Sequence, residues 1–167
     1  MKNLVEKDWV TKSGLRAVVN IHGGAGHRCG YIFIPADHPK HVEPTYSELE
    51  FGKRVIKIMD YNEMYPHSEC HGGLTYGKEV SEENTYPATE LRKGTWLGFD
   101  AAHCDDGPDY DVWETMIEDE KDQLLFDTLK DMEARFPTGM RTVRDLDFMI
   151  SECEELATQL DKGKSND

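Results

Sequence analysis

An apolar stripe near the end of the 167-residue chain is the feature that most constrains its fold. Six residues recur at alternating steps of three and four: Val143, Leu146, Ile150, Cys153, Ala157 and Leu160. This spacing predicts one apolar face of an α-helix, with Thr142 as its N-cap. The stripe is too short for a dependable coiled coil. It therefore predicts a helix that packs on a sheet of the same domain.

The first two thirds of the chain supply that sheet. Residues 15–21 and 31–34 are rich in β-branched and aromatic side chains, and residues 55–59, 71–76 and 95–100 are further predicted strands. Residues 46–53 are predicted as a short helix, and residues 111–135 as a long one. The sequence thus predicts an α+β fold, with a small, mostly antiparallel or mixed sheet of four to five strands packed by two C-terminal helices.

The length of the chain and its apolar content indicate how many domains it has and where in the cell it lies. We expect a single domain over residues 1–161 and a disordered tail over residues 162–167. No apolar run approaches the roughly 20 residues that span a bilayer, and the first residues lack a signal-peptide core. We therefore expect a cytoplasmic protein with reduced cysteines and no membrane partner.

The net charge of −14 is concentrated in the C-terminal third. Residues 105–161 carry five Lys or Arg against 18 Asp or Glu, whereas residues 1–104 carry 12 against 14. An acidic surface repels nucleic acids, so direct nucleic-acid binding is not expected. Two interpretations of these acidic residues remain open: they form solvated faces of helices, or they form a surface that binds a basic partner.

The residues suited to chemistry lie in three short segments. All seven histidines fall between His22 and His103. The three segments are a turn around Cys29, a segment around His71 and a segment from Asp100 to Asp106. Loops at strand ends are where a rigid scaffold presents functional groups, so we expect these segments to converge at one rim of the sheet.

A zinc site is one interpretation of these segments. Cys29, His71, Asp100 and His103 supply thiolate, imidazole and carboxylate, the ligands that zinc prefers, and a bound water would become a hydroxide for hydrolysis. Asp106, like His27, is a substitute ligand or a partner that orients one. The spacing matches no common zinc motif.

Three other interpretations stay open at this point. Cys29 is a candidate catalytic nucleophile, with His71 as its base and Asp100 orienting that base. The glycines at positions 24, 26 and 30 are a candidate backbone nest for phosphate. Finally, histidines, glycines and aspartates at turns are common for structural reasons alone.

Several strings resemble an uncharacterised family of small phage and prophage proteins. They are GHRCGYI at residues 26–32, DHP at 37–39, HGGLTY at 71–76, WLGFDAAH at 96–103 and the segment at 141–160. The resemblance implies a phage-encoded accessory protein acting in a bacterial host cell, and it carries no established activity.

Two functions follow from these patterns. The first is a pocket built from Cys29, His71, Asp100 and His103 that binds zinc or a small ligand and hydrolyses it, acting against host defence. The alternative is a non-enzymatic acidic protein that binds and inhibits a basic or nucleic-acid-binding host protein.

Overall fold

The computed structural model describes residues 2–136 and 141–162. Its elements in chain order are β1 (Leu4–Val10), β2 (Arg16–Ile21), β3 (Arg28–Pro35), β4 (Tyr46–Phe51), β5 (Arg54–Met59), α1 (Tyr61–Met64), β6 (Tyr76–Val80), β7 (Gly94–Asp100), β8 (Asp106–Gly107), α2 (Tyr110–Glu114), α3 (Glu120–Arg135), β9 (Thr142–Val143) and α4 (Leu146–Lys162). The predicted tail lies outside the described residues, apart from Lys162 at the end of α4.

Five strands form the main sheet, in the order β1-β2-β3-β7-β6. Every neighbouring pair is antiparallel. The two long helices α3 and α4 follow the sheet, after the short helix α2. The predicted α+β class and the predicted sheet with two C-terminal helices are therefore confirmed.

Helix α4 covers one face of this sheet, which we call the α4 face. Alternate residues of β2 and β3 point to this face, since successive side chains of a strand point to opposite sides. Their apolar side chains and those of α4 form one core cluster. The main members from the strands and the helix are fully buried: Ala17, Val19, Ile32, Ile34, Met149, Cys153, Leu156 and Ala157. Of the predicted stripe, Cys153, Ala157 and Leu160 are buried in this cluster and Leu146 packs against it. Val143 instead lies in β9 and is 45% exposed, and Ile150 is only partly buried.

The opposite face is aromatic, and we call it the tyrosine face. Val18, Tyr31, Phe33, Val80 and Trp96 form a second buried cluster there. The segment between β6 and β7 contacts this cluster, because Tyr86 and Ala88 pack against it. Both faces of the central strands are therefore buried.

Local hydrogen bonds set the helix boundaries differently from the prediction. Asp145 accepts a hydrogen bond from the Phe148 amide (2.8 Å) and so stabilises the start of α4, whereas Thr142 lies in β9. The predicted helix over 111–135 divides into α2 and α3. Asp119 caps α3 by accepting from the amides of Lys121 and Asp122. A cap residue favours a new helix start over continuation of the old one.

Two further predictions about local structure were wrong. Residues 46–53 do not form a helix, because β4 pairs with β5 in a hairpin separate from the main sheet. Residues 71–75 precede strand β6 as a turn at His71 and Gly72 and an irregular segment, since Gly72 and Gly73 both have positive φ. No helix within residues 2–136 and 141–162 has the length and apolar character needed to cross a bilayer.

Candidate metal centre

Two histidines and one aspartate form a compact group beside α4. One ring nitrogen each from His71 and His103 and one carboxylate oxygen of Asp106 all lie within 4.8 Å of one another. The Asp106 Oδ2 atom is 2.7 Å from His71 Nε2 and 3.2 Å from His103 Nδ1. Two donors bound to one tetrahedral ion, each at ~2 Å, are about 3.3 Å apart. The group is therefore one that could hold a metal ion.

The group lies in the surface layer of the molecule. The side chain of Asp106 is fully buried, that of His71 is 16% exposed and that of His103 is 33% exposed. The carboxylate of Asp106 is thus the most deeply buried member of the group, and the two imidazoles reach solvent. An ion at this point would keep coordination positions open to water, which is the arrangement of catalytic rather than structural zinc sites.

Helix α4 orients His71. The backbone amide of His71 donates to Glu152 Oε2 (2.7 Å). Its ring meets that of Phe148 edge-on, with centroids 5.4 Å apart. Glu152 and Phe148 are one turn apart on α4, so both contacts come from the same side of the helix. The ring of His71 is therefore fixed by packing and by its own main chain.

A tight turn after β7 places the other two members of the group, His103 and Asp106. The Asp106 amide donates to the carbonyl of His103 (3.0 Å), and the His103 amide donates back to Asp106 Oδ2 (3.0 Å). Asp106 then begins β8, where it pairs with Thr142 of β9. The spacing of three residues lets one carboxylate accept from both the main chain and the ring of the same histidine.

Gly72 lets His103 approach the cluster. A Cβ atom at Gly72 would lie 1.8 Å from His103 Cε1 and 1.9 Å from its Nε2. The backbone there has a φ of +69°, which favours glycine. Gly73 also has a positive φ, but an added Cβ would meet nothing within 4 Å. Gly72 is therefore needed both for its backbone conformation and for the space that His103 occupies, whereas Gly73 is needed only for its backbone conformation.

Asp106 stays ionised although it is buried. Burial opposes its charge, but hydrogen bonds from His71 and from Arg144 Nε (2.8 Å to Oδ1) outweigh that cost and hold its pKa well below the usual range. Arg144 occupies Oδ1, so Oδ2 is the oxygen that faces both imidazoles. A metal ion would consequently bind Asp106 through one oxygen, with Arg144 orienting the carboxylate.

The other two predicted ligands, Cys29 and Asp100, lie together but on the opposite side of the sheet. They are cross-strand partners of β3 and β7, so they share a face. Cys29 packs against the cluster of the tyrosine face. Asp100 accepts hydrogen bonds from Thr75 Oγ1 (2.7 Å) and the Ala102 amide (3.1 Å). The structure therefore brings together His71 and His103 but separates Cys29 and Asp100 from them.

The environment of Cys29 favours the neutral thiol. Burial and the nearby charge of Asp100 raise its pKa to about 11, although a hydrogen bond with Tyr31 opposes the shift. A thiol nucleophile works as the thiolate, which this environment disfavours. The catalytic roles assigned to Cys29, His71 and Asp100 from sequence stay predictions.

The backbone amides of Gly24 and Gly26 in the predicted phosphate nest donate to His22 and are not free to bind an anion. The amides of Ala25 and Gly26 donate to the His22 carbonyl, and that of Gly24 donates to His22 Nδ1. A Cβ atom at Gly30 would lie 2.6 Å from the Phe99 ring, so this glycine provides space for packing. These glycines therefore shape the turn and the core rather than present free amides to an anion.

His27 is outside the group of three. Its Nδ1 atom is buried without a hydrogen-bond partner in the described structure, and burial lowers the pKa of the ring. The sequence identified His71 and His103 and named Asp106 only as a substitute. Asp100 and Asp106 are each three residues from His103, so their spacing does not distinguish them; Asp100 belongs to β7, whereas Asp106 follows the turn that contains His103.

Comparison with protein-family models, with curated proteins and with solved structures found no match for this chain.

Proposed function

We propose that His71, His103 and Asp106 bind a divalent transition metal, with zinc as the first candidate, and that the metal activates water for hydrolysis. The observation that carries this proposal is the convergence of two imidazole nitrogens and one carboxylate oxygen within 4.8 Å, at a solvent-accessible place. Two His and one carboxylate is a known ligand set of hydrolytic zinc sites.

The surroundings of the site support this assignment. Asp106 carries a negative charge that a cation would neutralise, and Arg144 and the His103 amide fix its orientation. His71 is held by α4 through its main chain and its ring. A metal site needs such orienting contacts, because loosely held ligands lose affinity. Bound zinc would lower the pKa of its water to about 7 and supply a hydroxide.

Metal analysis of protein purified without an affinity tag tests the binding. We expect about one zinc per chain after incubation with zinc and dialysis, and loss of that zinc in His71→Ala and His103→Ala. His22→Ala is the matched control, because His22 is an exposed histidine outside the cluster. Full zinc content in both cluster variants, or none in the parent protein, would contradict the proposal.

Hydrolysis is tested separately with simple esters and phosphodiesters of p-nitrophenol. The zinc-loaded protein should release p-nitrophenol faster than the metal-free protein, and His103→Ala should abolish the difference. Equal rates with and without zinc would leave metal binding in place but contradict the catalytic part. Because the chain resembles small phage proteins, we place the proposed activity in an infected bacterial cell, directed against host defence.

A second candidate function is binding of a basic host protein, and the outer surface of α3 favours it. Leu124 is 68% exposed there, beside Asp127 and Asp131, and Met132 and Phe136 are more than half exposed at the edge of a groove between α3 and α2. Exposed apolar groups within a charged surface are typical of protein contacts.

Its test is retention of basic nucleic-acid-binding proteins on the immobilised chain at low salt. Asp127→Lys with Asp131→Lys should lose this retention, whereas Glu48→Lys with Glu50→Lys, an equal charge change on β4, should not. Asp122 is unsuitable for charge reversal, because it is buried and accepts from the Glu118 amide. Equal retention by both variants would contradict this candidate.

A further inference from the structure

A pocket opens at the C-terminal end of α4, away from the histidine cluster. Its volume is about 610 Å³, within the range of small-molecule sites. Its apolar lining includes the buried side chains of Met64, Tyr65 and Leu160. Val42, on the segment after β3, closes one side. The pocket can therefore cover the apolar body of a ligand.

The charged side chains of the lining are basic. Lys40, His41, His67 and Lys162 line the pocket, and no acidic side chain is among its described lining residues. This composition contrasts with the net charge of −14 for the whole chain. Asp161, the neighbouring acid on α4, lies 3.4 Å from His38 Nε2. A negative ligand would thus meet local attraction in an otherwise acidic protein.

Hydrogen bonds hold the walls of the pocket in place. The Val42 amide donates to Tyr65 Oη (3.1 Å), and His41 Nε2 is 3.2 Å from Thr95 Oγ1. Gln159 donates to the Glu69 carbonyl (3.0 Å) and accepts from the Glu69 amide (2.6 Å). A preformed pocket binds at a lower entropic cost than one that must be ordered by its ligand.

We infer that this pocket binds an amphipathic anion, with an apolar body against Met64, Tyr65 and Leu160 and a terminal carboxylate or phosphate between Lys40 and Lys162. The apolar lining and the basic rim are both needed, since neither an uncharged apolar molecule nor a small inorganic anion would use both.

The pocket is separate from the proposed metal centre. Gln159 is seven residues beyond Glu152 on α4, which is about 10 Å along the helix. Glu152 holds His71, and Gln159 lines the pocket. Ligand binding should therefore be unaffected by His103→Ala, so failure here and failure of the metal proposal are distinguishable.

Titration calorimetry with four probes tests the inference: octanoate, octyl phosphate, octanol and inorganic phosphate. We expect saturable binding of octanoate or octyl phosphate, or both, and the stronger of the two identifies the head group. Octanol and inorganic phosphate should bind at least about tenfold more weakly. Octanol binding as tight as octanoate and octyl phosphate, or no binding of either anion, would overturn the inference.

Two variants locate the binding. Lys40→Glu with Lys162→Glu should weaken it about tenfold at low salt, whereas Lys53→Glu with Lys121→Glu, which changes the net charge equally, should not. Val42→Trp should block the pocket without a charge change, and Val10→Trp is its exposed control. Unchanged binding in both pocket variants would overturn the inference.

Discussion

The two sides of the five-stranded sheet each bury a carboxylate that arginine holds ionised, and only one of them also has imidazoles. Beside α4, Asp106 contacts Arg144 and two histidines. On the tyrosine face, Glu90 contacts Arg16 and Arg92. Both carboxylate oxygens of Glu90 contact arginine, whereas Asp106 gives one oxygen to Arg144 and turns the other to the imidazoles of His71 and His103. The comparison shows that the imidazoles, rather than the buried acid, distinguish the candidate metal centre.

The largest expected effect comes from neutralising each carboxylate in turn. Asp106→Asn and Glu90→Gln should each lower the free energy of unfolding by about 3 kcal/mol, since each leaves an arginine without its buried partner. Only Asp106→Asn should abolish zinc binding. Urea denaturation and zinc titration measure the two effects. Equal zinc affinities in the two variants would remove the functional distinction between the two sides.

The dependence of stability on acid pH tests whether Glu90 on the tyrosine face is held ionised by its arginines. Burial opposes the charge of Glu90, but hydrogen bonds from Arg92 and Arg16 outweigh it and lower the pKa to about 2. A lowered folded-state pKa contributes stability above the unfolded value that is lost as the pH falls toward 2.

The stability difference between the parent protein and Glu90→Gln should therefore shrink by roughly 2–3 kcal/mol between pH 5 and pH 2. Urea denaturation at several pH values measures this change. A constant difference across that range would show that Glu90 is not held ionised by its arginines.

Alanine substitutions at Gly72 and Gly73 distinguish the cost of backbone strain from an effect on zinc binding. Gly72→Ala and Gly73→Ala should each cost about 1–2 kcal/mol for a positive φ. Gly72→Ala should also displace the His103 ring and weaken zinc binding at least about tenfold, because the added Cβ overlaps that ring. Equal zinc affinity in the two alanine variants would mean that His103 is not a ligand.

The smallest expected effect is that of Cys29→Ser. The thiol lies on the tyrosine face, so zinc affinity should be unchanged and stability should fall by about 1 kcal/mol or less. Because its pKa is raised to about 11, Cys29 should react with iodoacetamide at pH 8 far more slowly than the exposed Cys104. Loss of zinc in Cys29→Ser would contradict the separation of the two sides.

Periodicity in the sequence predicted the elements that bury a regular apolar face. The stripe of α4 and the runs of β2, β3 and β7 belong to this class. In the hairpin, β5 was predicted as a strand but β4 was predicted as a helix, because the apolar residues of the hairpin, among them Phe51 and Ile56, are exposed rather than buried on a regular face.

The candidate site was predicted in part for a similar reason. Asp100 and His103 are only three residues apart, but Asp100 still obeys the alternation of β7, whereas His103 lies in the following turn. Strand register directs Asp100 toward Cys29, and the turn directs His103 toward His71 and Asp106. The position at which a strand ends decides this outcome, and residue spacing alone does not reveal it.

X-ray absorption spectroscopy of the zinc-loaded protein tests the central claim most directly, because it distinguishes the possible ligand sets. The site at His71, His103 and Asp106 predicts nitrogen and oxygen neighbours at about 2.0–2.1 Å, imidazole scattering and no sulfur. A sulfur neighbour at about 2.3 Å would place a cysteine at the metal and contradict the account, as would a protein that retains no zinc.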